Sequence, residues 1–271
     1  MVSDVRKGLF FMNILFLGDV VADCGIRAVT SVLPDLKKQY QIDFTIVNGE
    51  NAAEGKGITY PIYQQLIDAG ADVITLGNHA FSKREVLGDL KNMKRLIRPD
   101  NMEPFNKGQS YLICECRGKK VAVANILGSA FMRASTGDPY LCAERLLQRI
   151  HADIIIIDFH AEATSEKEAM LEIVKDKAAA LIGTHTHVQT ADEKIRDGCA
   201  FICDVGMCGP YDSILGRDRD EVLSKMMTGQ FTRYRPAMGE PVICGAVIEI
   251  DDLSNRAVHI RRIQKRPRED V

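Results

Sequence analysis

Two histidines separated by a single residue, His185 and His187, follow a short apolar run in the segment ALIGTHTHVQTADEKI (180–195). The whole chain of 271 residues contains only 6 histidines. In an extended segment, side chains two residues apart point to the same face. The pair is therefore either a set of ligands that bind something together or a chance arrangement at the end of a strand.

Comparable polar residues follow four other apolar runs of the sequence. They are Asp19 in LGD, Asn48, Glu50 and Asn51 in VNGEN, Asn78 and His79 in LGNH, and Asp158, His160 and Glu162 in IDFHAE. Taken singly, each is well explained as a turn residue, a helix cap or a hydrogen-bonded structural histidine. In open α/β sheets, however, ligand sites gather at the carboxyl ends of the strands. The recurrence of such residues at strand ends favours one shared site.

The types of these residues indicate metal binding. Carboxylate oxygens, amide carbonyls and imidazoles without thiolates suit Mn, Fe or Zn better than Mg or Ca, which prefer all-oxygen ligands. There are more candidate ligands than one tetrahedral zinc site requires. A carboxylate that bridges two ions about 3.5–4 Å apart would use them and hold a reactive hydroxide between the ions. We therefore expect two transition-metal ions.

Other kinds of site have weaker support. No G-x-S-x-G motif is present for a serine hydrolase, and GDVVADCG (18–25) matches neither a dinucleotide-binding nor a Walker fingerprint. The pairs CEC (114–116) and CDVGMC (203–208) lack the C-x₂-C spacing of common zinc sites.

The elements that must position these residues follow from hydrophobic patterning and indicate an α/β fold. Strands are predicted at 13–18, 43–49, 71–77, 153–159 and 179–183, and helices at about 25–40, 60–70, 83–93, 139–151 and 165–178. This alternation indicates a parallel or mixed sheet with crossover helices. Hairpins are predicted around Gly118 and in the last third of the chain, and the glycine-rich, charged segment 207–239 is expected to form a rim or lid over a site.

Composition narrows the class of protein. Hydrophobic residues make up 46% of the chain, charged residues 27%, and the formal net charge is −2, so neither nucleic acid nor a membrane surface is an expected partner. The basic segment RRIQKRPRED (261–270) is better explained as a solvated tail. No apolar run reaches the length of a membrane span. The 8 scattered cysteines and the lack of a secretory signal favour free thiols and a cytoplasmic location.

Domain organisation is predicted to be simple. Residues 1–12 precede the first strand-like run and are interpreted as an N-terminal extension, non-native or from an alternative start. Residues 13–271 show no repeat and no linker, so they are expected to form a single domain.

The order and spelling of these motifs resemble the calcineurin-like metallophosphoesterase superfamily, and within it the bacterial YmdB-type phosphodiesterases. The blocks IDFHAEATSEK (157–167) and GTHTHVQTAD (183–192) are highly specific, and DVGMCGPYDSILG (204–216) is similar to a family segment. The resemblance implies a four-layer αββα sandwich of two mixed sheets and a dinuclear metal centre. It also implies hydrolysis of phosphodiesters, with 2′,3′-cyclic nucleotides as the expected substrates.

The resemblance also implies roles for individual residues. The first metal would be held by Asp19, Glu50, Asn51 and His187, and the second by Glu50, Asn78, His160 and His185. Glu50 would then bridge the two ions, and His185 and His187 would bind different ions. His79 would be the catalytic residue, as an acid that contacts the phosphate or protonates the leaving alkoxide.

Two departures from the superfamily pattern bear on metal identity. Many members carry a histidine two residues after the first aspartate, where this chain has Val21, and the usual bridging aspartate is replaced by Glu50. Asn51 could fill the vacancy. Iron or manganese is therefore favoured, and zinc remains an alternative.

Several alternatives remain at this point. Asp158 and Asp204 are candidates for orienting imidazoles, or simply for loop hydrogen bonds, and Arg133 is either a phosphate-binding residue or a surface arginine. The competing function is a regulatory protein that binds metal or nucleotide and acts through a partner with little turnover. A dinucleotide-binding enzyme is disfavoured by the missing glycine fingerprint. Self-association into a homo-oligomer is a further expectation from the family.

Overall fold

A computed structural model of the chain describes residues 11–132 and 137–266. Its strands are β1 (Phe11–Leu17), β2 (Asp19–Val20), β3 (Phe44–Asn48), β4 (Val73–Thr75), β5 (Tyr111–Cys116), β6 (Lys119–Leu127), β7 (Ile154–His160), β8 (Ala180–Thr184), β9 (Lys194–Arg196), β10 (Cys199–Ile202), β11 (Met207–Pro210), β12 (Pro241–Asp251) and β13 (Ala257–Lys265). Its helices are α1 (Ala22–Gln39), α2 (Tyr60–Asp68), α3 (Val86–Asp89), α4 (Pro139–Arg149), α5 (Thr164–Val174) and α6 (Arg219–Thr228).

The strands form two mixed sheets. The first has 7 strands in the order β2-β11-β12-β1-β3-β4, with β13 paired to β12. Its strands β1, β3 and β4 are parallel, whereas β12 is antiparallel to β1. The second sheet has 6 strands in the order β5-β6-β7-β8-β10-β9, of which β6, β7, β8 and β10 are parallel. Parallel neighbours bring their carboxyl ends to the same edge of each sheet.

Three apolar clusters separate four layers. One cluster packs α1 and α2 against the first sheet, and another packs α4 and α5 against the second. The third lies between the two sheets and includes Ile14 and Ile46 from the first sheet and Ile156 and Ile182 from the second. The predicted αββα sandwich of two mixed sheets is therefore confirmed.

The alternation of side chains along each strand decides which polar residues enter the layer between the sheets. In β7, Ile154 and Ile156 face the other sheet, while Ile155 and Ile157 face the helices. Continuing this period of two places Asp158 and His160 on the inner side at the carboxyl end of β7. Both side chains are fully buried. The strand pattern therefore delivers polar groups to one open edge of the inter-sheet layer.

Some boundaries differ from those predicted. The first strand begins at Phe11, because Phe11 and Met12 already pair with Asp251 and Ile250 of β12. These two residues of the predicted N-terminal extension therefore belong to the sheet, and residues 1–10 lie outside the described residues.

One further segment also differs from expectation. The helix predicted at 83–93 is reduced to the four residues of α3, in keeping with the low helix propensity of Gly88 at its centre. The segment 207–239 contains two regular elements, β11 and α6. Asp218 caps the start of α6 by accepting a hydrogen bond from the backbone N–H of Glu221, and Gly229 ends the helix at a positive φ of 68°.

Two other expectations concern the chain as a whole. All eight cysteines are free thiols. Within the described ranges, no helix is long and apolar enough to cross a membrane.

The close approach of β8 to the end of β10 provides a test of the fold. A Cβ added at Gly183 would lie 1.8 Å from the carbonyl oxygen of Cys203, which is backbone and cannot rotate away. We expect Gly183→Ala to lower the free energy of unfolding by about 1–3 kcal/mol through overpacking, as measured by chemical denaturation. Gly88→Ala is the matched control, because its Cβ would meet no atom within 4 Å. Equal stability of the two variants would contradict this packing of β8.

Candidate metal centre

Side chains from both sheets meet at the shared carboxyl edge. The oxygen donors come from the first sheet and its loops: Asp19, Glu50, Asn51 and Asn78. The imidazoles come from the second sheet: His160 at the end of β7, and His185 and His187 just after β8. The structure thus brings all seven predicted metal ligands to one place.

The first cluster surrounds the Nε2 atom of His160. This nitrogen lies 2.9 Å from Glu50 Oε1, 3.0 Å from Asn78 Oδ1 and 3.1 Å from His185 Nδ1. Two imidazole nitrogens supply at most two protons, yet four lone-pair atoms face one another. Glu50, His160 and His185 can place one ligand atom each within 4.8 Å of one another, a spacing that suits a metal ion. A cation at this point could accept a lone pair from each of the four atoms.

The second cluster lies beside the first. His187 Nε2 is 3.1 Å from Asn51 Oδ1 and 3.8 Å from Asp19 Oδ1. Asp19 also reaches toward the first cluster, with Oδ1 3.9 Å from His160 Nδ1. This Oδ1 atom is fully buried and has no hydrogen-bond partner among the described residues. A buried carboxylate oxygen left unpaired is costly, so the arrangement favours a bound cation.

Outer hydrogen bonds determine which nitrogen of His160 faces the centre. The hydroxyl of Thr184 donates to Asp158 Oδ1 at 2.7 Å and lies 2.9 Å from His160 Nδ1. Because the hydroxyl proton is used on Asp158, Thr184 Oγ1 must accept from an Nδ1–H group. The Nε2 atom then presents its lone pair to Glu50 and Asn78. Asp158 therefore orients His160 indirectly, through Thr184. This contact supports the interpretation of Asp158 as a residue that orients an imidazole.

The other two imidazoles are oriented in the same way. His185 Nε2 lies 3.0 Å from the carboxylate of Glu162, and His187 Nδ1 lies 3.0 Å from the carbonyl oxygen of Leu215. Both partners are acceptors, so each nitrogen named must carry the proton. The opposite nitrogens, Nδ1 of His185 and Nε2 of His187, are left free to bind metal. Such acceptor contacts on the remote nitrogen are usual for metal-ligating histidines.

The sequence predicts an extended backbone at the two histidines, but both residues have a left-handed backbone. His185 has a φ of 97° and His187 a φ of 66°, values that cost free energy in residues with a side chain and are found at functional sites. The turn sends the two imidazoles to different clusters rather than to one shared face. The expectation of a common face is therefore wrong, although the assignment of the pair to different clusters fits this geometry.

A buried ion pair holds this turn. Lys167 is 1% exposed and donates to Asp204 Oδ2 at 3.0 Å and to the carbonyl oxygen of Thr184 at 2.9 Å. Asp204 also accepts from the backbone N–H of Thr186 at 2.9 Å. Among the described residues, Asp204 shows no hydrogen bond to an imidazole. It fixes the backbone between the two histidines instead of orienting a ring.

The electrostatics of the site favour a cation. Burial alone would lower the pKa of His160, but the neighbouring carboxylates of Glu50 and Asp19 raise it above its usual value. Burial would likewise raise the pKa of Glu50, and His160 outweighs this effect and lowers it. Burial raises the pKa of Asp19 and lowers that of His185 to about 3, so His185 is neutral at pH 7. The anionic field that holds a proton on His160 would also attract a metal ion.

The backbone leaves room for the centre at Gly77. A Cβ there would lie 2.3 Å from His160 Nε2 and 2.4 Å from Glu50 Oε2. The donor types, the orphaned Asp19 oxygen and this glycine all fit a metal centre. Asn48 connects two residues of the site. Its amide donates to Asp158 Oδ2 at 3.0 Å, and its Oδ1 accepts from the backbone N–H of Glu50 at 3.1 Å.

A cavity of about 330 Å³ opens onto the centre. Its wall includes the predicted catalytic residue His79, whose backbone N–H donates to Glu50 Oε2 at 2.9 Å. Burial lowers the pKa of the His79 imidazole. The wall also contains residues that sequence reasoning missed: Lys56, Leu215, Arg217 and Tyr234. Three of these lie in the segment 207–239, predicted to form a rim. Arg133 lies outside the described residues.

Comparisons with known proteins identify the family. A family model of YmdB-like proteins matches residues 15–263. The 2′,3′-cyclic-nucleotide 2′-phosphodiesterase of Bacillus subtilis is 45% identical over 255 residues, covering 93% of this chain and 96% of the relative.

Solved structures show the same fold. A phosphatase from Mycoplasma pneumoniae superposes with a TM-score of 0.91 at 32% identity, covering 95% of this chain and 94% of that one. A protein from Thermus thermophilus superposes with a TM-score of 0.88 at 37% identity, covering 94% of this chain and 99% of that one. The motifs, the αββα fold and the family match lead to one conclusion: this chain belongs to the family of YmdB-like proteins.

Proposed function

We propose that this protein is a metal-dependent phosphodiesterase that hydrolyses 2′,3′-cyclic nucleotides. The observation that carries the proposal is the convergence of four lone-pair atoms, from Glu50, Asn78, His160 and His185, on one point beside an open cavity. The name of the Bacillus subtilis relative supplies the substrate class. It also favours turnover over the alternative of a regulatory protein that acts through a partner.

In this proposal the seven donors hold two metal ions. Asp19, Glu50, Asn51 and His187 would bind the first, and Glu50, Asn78, His160 and His185 the second, with Glu50 shared. The mixed oxygen and nitrogen set suits iron or manganese, and zinc remains compatible with it. When bound, such ions lower the pKa of a coordinated water and neutralise charge on the phosphoryl oxygens.

The protein's own residues would prepare and orient this centre. Glu162, Leu215 and the pair Thr184–Asp158 hold the three imidazoles so that their lone pairs face inward. Asn51 is oriented by donating its amide to the carbonyl oxygen of Gly55 at 3.0 Å. Fixed donors cost little reorganisation when substrate binds, which is the main source of electrostatic catalysis.

His79 is proposed as the acid that serves the leaving group. Its backbone is tied to Glu50, its Nδ1 atom lies 3.4 Å from the hydroxyl of Ser82, and its ring lines the cavity. This position would let the imidazole donate a hydrogen bond to the phosphate or, in its protonated form, pass a proton to the departing ribose oxygen. The enzyme is further proposed to be cytoplasmic, to self-associate, and to act as a single domain that comprises the predicted 13–271 together with Phe11 and Met12 of β1.

The bridging role of Glu50 is tested by Glu50→Gln. The neutral amide would remove the charge that the two ions share, so we expect a loss of metal content and a fall in turnover of at least about 100-fold. Removing a residue that only hydrogen-bonds to a metal ligand already costs about 10–100-fold. Metal content is measured by elemental analysis, and turnover with bis-p-nitrophenyl phosphate and 2′,3′-cyclic AMP. Glu115→Gln, at an exposed position of β5, is the control. Full metal content with wild-type turnover would rule out the bridge.

His79→Ala separates catalysis from metal binding. We expect this variant to keep its metal and to lose turnover by about 10²–10⁴-fold, the usual contribution of a general acid. Elemental analysis and kcat for 2′,3′-cyclic AMP measure the two effects, with the exposed His151→Ala as the control. If metal is lost together with turnover, His79 is a ligand and not an acid.

Gly77→Ala tests the position of the second ion. The added methyl group would occupy the space in front of His160 Nε2 and Glu50 Oε2. We expect the variant to fold, as judged by circular dichroism, and to bind fewer ions per chain than the wild type. An unchanged metal content would show that the second ion does not lie between these two atoms.

A further inference from the structure

One wall of the cavity carries two cations over a single aromatic ring. The Nζ atom of Lys56 lies 5.5 Å from the centroid of the Tyr234 ring, and the Cζ atom of Arg217 lies 5.0 Å from it. All three residues line the cavity at the metal centre. Cations over an aromatic face are attracted by the ring quadrupole, so the ring restrains both side chains.

The ring is itself held against the backbone that carries Lys56. A Cβ at Gly55 would lie 2.2–2.4 Å from three atoms of the Tyr234 ring and hydroxyl. Gly55 has a φ of +87°, and its carbonyl oxygen accepts the amide of the predicted ligand Asn51. The close packing of Tyr234 on Gly55 therefore ties the ring to the loop that bears both Asn51 and Lys56.

The two cations differ in their charge partners. Arg217 is neutralised by Glu221, to which it donates hydrogen bonds of 2.7–3.1 Å. Lys56 has no carboxylate within salt-bridge distance among the described residues, whereas Lys83, which lines an adjoining pocket together with Lys56, pairs with Glu54 at 2.8 Å. Lys56 is therefore an uncompensated positive charge that faces a cavity beside the metal centre.

We propose that Lys56 binds the phosphoryl group of the substrate and that Tyr234 is the positioning residue that holds its ammonium group there. A negatively charged phosphate oxygen in the cavity would supply the partner that Lys56 lacks, through a charge-assisted hydrogen bond. This inference rests on the proposed function, because it assigns residues to the same phosphodiester substrate. It adds a binding contact from the protein to those supplied by the metal ions.

The role of Tyr234 depends on its ring and not on its hydroxyl. Attraction of a cation requires the aromatic face, which phenylalanine retains and leucine lacks. Tyr234→Phe should therefore behave as the wild type, and Tyr234→Leu should resemble Lys56→Ala. A merely structural role for Tyr234 would not make its effect follow that of Lys56.

The experiment uses metal-loaded protein and two readouts. The first is kcat and KM for 2′,3′-cyclic AMP, and the second is the Kd of orthophosphate by titration calorimetry. We expect Lys56→Ala and Tyr234→Leu each to raise KM and Kd by about tenfold, the loss of one charge-assisted hydrogen bond, with a smaller change in kcat. Lys56→Arg should recover part of the loss, and Tyr234→Phe should stay within about twofold of the wild type.

Controls separate the possible outcomes. Arg261 lies 4.7 Å from the Tyr40 ring in a similar pair away from the cavity, so Arg261→Ala should leave both readouts unchanged. Metal content is measured for every variant. If Tyr234→Leu loses metal, the inference is tested by the KM and Kd of Lys56→Ala and Tyr234→Phe. Unchanged KM and Kd for Lys56→Ala would overturn the inference. Absence of turnover in the wild type would refute the proposed function instead, and the orthophosphate Kd would still test Lys56.

Discussion

The structure depends on a meeting of unlike donors across the gap between two sheets. The first sheet supplies carboxylates and amides, the second supplies imidazoles, and neither set could form the centre alone. The two sheets are joined at this edge by the buried hydrogen bond of 3.0 Å from Asn48 in β3 to Asp158 in β7. Because the apolar layer below fixes how the sheets pack, a shift of either sheet would separate the oxygens from the nitrogens.

Burial makes this edge costly without a cation. Asp19 and Asp158 are fully buried and Glu50 is 1% exposed, and burial raises the pKa of Asp158 to about 6. Burying carboxylates is unfavourable unless each is paired. Metal binding would thus contribute to folding stability as well as to chemistry, since the unfolded chain has no preformed site. The buried carboxylate of Asp204, beneath the histidine turn, is paired with the ammonium group of Lys167.

Much of this could be predicted from the sequence, and the limits have physical causes. Strand periodicity and the polar residues at strand ends locate Asp19, Glu50, Asn78 and His160, because parallel strands end at a common edge. The turn at His185 and His187 could not be foreseen, since a positive φ is set by the hydrogen bonds of Asp204 and Lys167 to the turn. Tyr234 and Lys56 meet only through the packing of two loops far apart in the chain, which no local pattern encodes.

We propose that two ions would lie between the sheets and share Glu50. Anomalous X-ray diffraction at the manganese edge, from crystals of the manganese-loaded protein, tests it directly. We expect two anomalous peaks about 3.5–4 Å apart, one beside Asp19 and His187 and the other beside His160 and His185, with Glu50 in contact with both. A single peak, or a peak remote from Glu50, would contradict it.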